Sequence, residues 1–136
     1  MKTQAQLDLV TTLLNHERGA ARDDREAAPR VLDKMFAQLA PVVGDRGVIA
    51  VFVRSAVAAK AQCAALRSLA VTIDSLDAVD AKIRDHFATV EDTEATECAI
   101  ALCVEFVELM SRLIGASLTA QLIQRAWPEV DVKESP

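Results

Sequence analysis

The chain has 136 residues, 51% of them hydrophobic and only 4% aromatic, with a formal net charge of −5. That length supports one domain with an aliphatic core and no need of disulfides or a structural metal. The acidic balance disfavours binding to nucleic acid or to anionic membranes, both of which need a basic surface.

Ala and Leu, the strongest helix formers, are abundant, while Gly and Pro number four each. The first helix is expected from about Thr3 to Asn15, where Leu7, Val10, Leu13 and Leu14 recur at spacings of three and four. Residues 16–28 are the most polar stretch, with Glu17, Asp23, Asp24 and Glu26 against Arg18, Arg22 and Arg25. This segment reads as a polar linker or an exposed helical extension.

A second helix opens near Pro29 and carries Leu32, Met35, Phe36, Leu39 and Val43 on one face. Pro41 biases Ala40 away from helix, and Gly44-Asp45-Arg46-Gly47 reads as a turn. The β-branched run Val48–Val53 could be a buried strand, but no breaker follows before Ala70. Length therefore favours one long helix near 48–69. Its small residues Ala50, Ala58, Ala61 and Ala65 would let neighbouring helices approach closely.

A further helix starts after Asp74 or Ser75, with Leu76, Val79, Ile83, Phe87 and Val90 as its buried stripe. The next, near 94–114, is apolar almost all round, with Glu97, Ala101, Glu105, Glu108 and Arg112 as one narrow polar stripe. Gly115 breaks the chain, Ser117 caps a short last helix, and Pro128 stops it. Residues 129–136 are expected to fray. The reading is an all-α, single-domain bundle of five to six helices over 1–136, with the helices near 48–69 and 94–114 central.

No segment carries a recognisable catalytic, metal or nucleotide motif. Cys63, Cys98 and Cys103 are odd in number, lack C-x-x-C spacing and sit in apolar runs. They read as small buried hydrophobes in a reducing cytoplasm, which is the expected location. The N-terminus lacks the apolar stretch of a signal peptide. The longest apolar stretch, 98–118, is interrupted by Glu105, Glu108 and Arg112, so no membrane-spanning helix is expected.

His86 lies beside an apolar stripe, but Lys82, Ile83 and Val90 offer it no companion metal ligand. His16-Glu17 sits in no phosphotransfer pattern, and neither His has the preceding acid of a di-iron Glu-x-x-His site. Asp74, Asp77 and Asp80 lack the spacing and the glycine of a calcium loop. Arg54, a lone charge in an apolar stretch, either emerges at the surface or pairs with an acid such as Glu105.

Three function classes follow. The best supported by composition is a non-enzymatic helical interaction or regulatory module, acting by homodimerisation or by docking another protein, with no cofactor. The second is a binder of a small apolar ligand, lipid or haem-like, lined by Val51, Phe52, Phe87, Phe106 and Met110. The third is an enzyme or phosphorelay component using His16, His86 or a cysteine.

Overall fold

The computed structural model describes residues 4–18, 24–69, 75–130 and 132, and every regular element among them is helical. The elements are α1 (Gln4–Arg18), α2 (Asp24–Lys60), α3 (Leu76–Thr89), α4 (Asp92–Ile114) and α5 (Ala116–Ala126). A short 3₁₀ turn at Ala64–Ser68 follows α2. They form one all-α bundle around a single aliphatic core.

The two arms of α2 decide the architecture. Gly44 has φ 79° and ψ 164°, a backbone region that is essentially glycine's alone. Residues 24–43 and 45–60 are therefore two arms. Phe36 and Phe52 are 16 residues apart, a span of about 24 Å along a straight helix. Their ring centroids are 5.8 Å apart and edge-on, so the arms fold back on each other as a helical hairpin centred on Gly44. Gly47 closes the corner, since a Cβ there would lie 2.7 Å from the Val43 side chain. The turn expected at 44–47 is thus present, tightened to a single non-helical residue, and Val48–Val53 is helix and not strand.

By length and composition α2 alone, among the described residues, could cross a membrane over Arg25–Lys60, a candidate that the sequence pattern had not suggested. That stretch is not a straight helix, because the reversal at Gly44 divides it and Asp45 and Arg46 sit at the corner.

α4 lies at the centre. Ala95, Cys98, Ala99, Leu102, Cys103, Val104, Phe106, Val107 and Met110 are all buried, facing several neighbours at once. Phe106 packs at 5.3 Å on Phe36, so one aromatic cluster joins α4 to both arms of the hairpin. The second arm buries Val48, Val51, Phe52, Ala56 and Ala59 in the same core. Ser55 is also buried and satisfies its hydroxyl by donating to the Val51 carbonyl at 2.7 Å.

That arm ends at Lys60, short of the expected 69. No breaker residue stops it. The chain leaves the helix as Cys63, Leu66 and Leu69 turn into the core, and the burial of these side chains outweighs the helical propensity of the Ala-rich run. Ser75 caps α3 by accepting from the Ala78 amide, as its sequence position implies. Gly115 is both the C-cap of α4 and the N-cap of α5, so Ser117 falls inside the last helix and does not cap it.

Of the polar segment 16–28, residues 16–18 close α1 and 24–28 open α2, while 19–23 lie outside the described residues. Glu17, Ala27 and Ala28 are buried, so this stretch is not solvated throughout. The tail starts in an ordered turn. Gln124 Nε2 donates to the carbonyls of Trp127 and Val130 at 3.0 and 2.6 Å, and its Oε1 accepts from the Val132 amide at 3.1 Å. Residues 131 and 133–136 lie outside the described residues, as does Asp74.

Candidate functional site

The second arm of α2 buries one face and leaves the other open. Gly47, Ala50, Arg54 and Val57 recur at spacings of three and four along the open side, the repeat of a helix-packing seam. Val57 is 63% exposed and Leu113, on α4, is 55% exposed. Between α2 and α4 lies a half-open apolar groove of about 470 Å³, lined by Val43, Gly47, Ala50, Val51, Leu109 and Leu113. Arg54 and Arg112 complete the lining, and no acidic side chain contributes to it.

The two arginines differ. Arg112 is held by Glu108 one turn earlier at 3.2 Å, and Glu108 also accepts from Gln6 of α1 at 2.7 Å. Arg54 is exposed and has no ion-pair partner among the described residues. Its sequence position admitted two readings, emergence at the surface or a pairing with Glu105, and the first is the one observed. Glu105 is buried and accepts instead from Gln62 Nε2 at 2.5 Å. It therefore does not belong to an exposed polar stripe. The signal was available: 98, 102 and 105 share the inward face of α4.

The remaining candidates are dispersed. Val51 reaches the groove floor. Phe52, Phe87, Phe106 and Met110 are packed in the core, with Phe52 and Phe106 in the aromatic cluster. His86 is buried edge-on to Phe87, 5.8 Å between centroids. Burial pushes its imidazole below the ordinary range, against a hydrogen bond to the Ala65 backbone that favours the charged form. It is therefore neutral near pH 7 and ties α3 to the 3₁₀ turn. His16 is exposed, 3.5 Å from Glu129. No group of three or more His, Cys, Asp or Glu among the described residues has a metal-holding arrangement.

Two polar clusters escaped the sequence pattern. Glu17 of α1 accepts from Lys34 Nζ of α2 at 2.5 Å and from Trp127 Nε1 at 2.8 Å. Its place seven residues after Val10 and three or four after Leu14 and Leu13 puts it on the buried stripe of α1. The second cluster joins α2 to α3. Arg84 bridges Asp33 at 2.5 Å and Asp80 at 3.2 Å.

Burial, together with the facing Asp80 carboxylate, pushes Asp33 up to about 7, and Arg84 only partly opposes them. The folded state then holds a proton between pH 3.8 and 7 that the unfolded chain gives up. Stability from this site is present at low pH and is lost as pH rises through 7. Asp33→Asn is expected to flatten the fall in Tm between pH 5 and pH 8, read by thermal unfolding at both. An unchanged fall would show that Asp33 does not titrate in that window.

Compared with known protein families, curated proteins and solved structures, the chain matches none.

Proposed function

We propose that this protein is a non-enzymatic docking module whose α2–α4 groove receives an amphipathic helix of a partner protein bearing an acidic side chain. The observation that carries this reading is Arg54, a guanidinium with no ion-pair partner among the described residues, set in an apolar groove on a chain of net charge −5. The exposed seam from Gly47 to Val57 runs about 15 Å, close to three turns of helix. Small residues on the seam leave room for the ridges of an incoming helix. Of the small residues expected to admit a neighbouring helix, Ala50 and Ala61 are exposed.

A second copy of the same chain fits less well. Self-association through this face would bring Arg54 of both copies to one contact with no acid in the lining to offset it, and like charges at a contact are costly. The groove volume falls in the range of small-molecule sites, which keeps an anionic amphiphile as the reading to test against.

Selection from a library of amphipathic helical peptides on the untagged full chain is expected to enrich Asp or Glu beside an i, i+3/i+4, i+7 apolar stripe. Arg54→Glu should weaken the selected peptides roughly 30-fold, the scale of a single hot spot, and peptides with Lys in place of the acid should regain binding. Native mass spectrometry separates the alternatives. A dimer insensitive to Arg54→Glu, or a co-purified mass of lipid size, would overturn helix docking.

A further inference from the structure

Cys63 and Cys98 are the chemically distinctive pair that the docking reading leaves unused. Cys63 stands where α2 passes into the 3₁₀ turn, Cys98 on the inner face of α4, and their sulfurs are 2.6 Å apart in the core as free thiols. Nothing in the sequence spacing announces this pair, since 35 residues separate the two. Cys103, also buried, is on the same helix as Cys98.

We propose that Cys63 and Cys98 are a reversible disulfide site, oxidised by a low-molecular-weight disulfide of the glutathione class. The inference does not depend on the docking function. Cys63, at 7% exposed, is the more accessible, while Cys98 is fully buried. Cys63 sulfur attacks the small disulfide, forming a mixed disulfide and releasing one small thiolate, which takes up the proton that Cys63 loses. Cys98 sulfur then attacks Cys63 sulfur, and the second small thiolate leaves and takes up the proton from Cys98. Two thiols are oxidised, one small disulfide is reduced to two thiols, and one S–S bond is exchanged for another. The product ties the end of α2 to α4, the two elements that wall the groove.

The test uses the reduced, untagged full chain exposed to oxidised glutathione under native conditions. Intact mass is expected to fall by about two daltons, the two thiol hydrogens. Trypsin should then yield peptide 61–67 linked to peptide 85–112. Because 85–112 holds both Cys98 and Cys103, fragmentation of the linked pair, or the Cys103→Ala variant, assigns the bond. Closing a loop of this length should raise Tm on the order of 10 °C. Cys98→Ala should stop at a glutathione adduct on Cys63. Thiols that stay reduced, an adduct that persists on the native chain, or a bond to Cys103 would each overturn the site. All three are read on the native sequence, so the result stands even if a variant does not fold.

Discussion

Replacing Phe106 with Ala is expected to destabilise the protein by about 3–5 kcal/mol, the cost of a vacated aromatic site in a core that relaxes only partly. Phe106 is fully buried and packs on Phe36, which packs edge-on against Phe52. The three rings belong to α4 and to the two arms of α2. The substitution therefore removes the contact that holds the hairpin onto the central helix, including the ring–ring attraction beyond area burial. Urea unfolding with a fixed slope should show the loss as a shift of midpoint. A loss below about 1 kcal/mol, the size of an ordinary surface change, would mean that the arms of α2 are not packed on α4 as described.

Glu17→Ala is expected to cost about 3 kcal/mol, the lower end of the range for breaking a buried charge pair. The carboxylate is 3% exposed, and it satisfies the indole N–H of the fully buried Trp127 as well as Lys34. Lys34 can turn its ammonium to solvent, which keeps the cost from being larger. Trp127 cannot, and its donor is left without an acceptor in the core. Glu17→Gln, which retains an acceptor, should lose less.

Burial raises the carboxyl's pKa, but the hydrogen bonds from Lys34 and Trp127 and the charges of Lys34 and His16 outweigh it, so the net shift is downward. The stabilisation is therefore present above the ordinary value of 4.5 and is lost as pH falls through the lower native value. The gap in Tm between wild type and Glu17→Ala should close in acid. Trp127 is the only tryptophan, so its emission reports the same site directly. An emission spectrum unchanged by Glu17→Ala would argue against the indole–carboxylate bond.

These two residues mark different degrees of legibility. Phe106 lies on an obvious apolar face, and its burial follows from periodicity alone. Glu17 lies on an equally good face, yet its charge and polar neighbours pointed to solvent. Periodicity was the better guide, because Lys34 and Trp127 arrive from distant parts of the chain to satisfy the carboxylate. Glu105 repeats the lesson with Gln62.

Local chemistry by itself determined the helical class, the Ser75 cap, the corner at Gly44 and the break at Gly115. Each depends on the backbone preferences of a few neighbouring residues. Tertiary packing decided the rest: the fold-back of α2, the early end of its second arm, the meeting of Cys63 with Cys98, and the groove that leaves Arg54 without an acid. Those outcomes depend on which apolar faces meet, and the energy of such a meeting belongs to residues far apart in sequence.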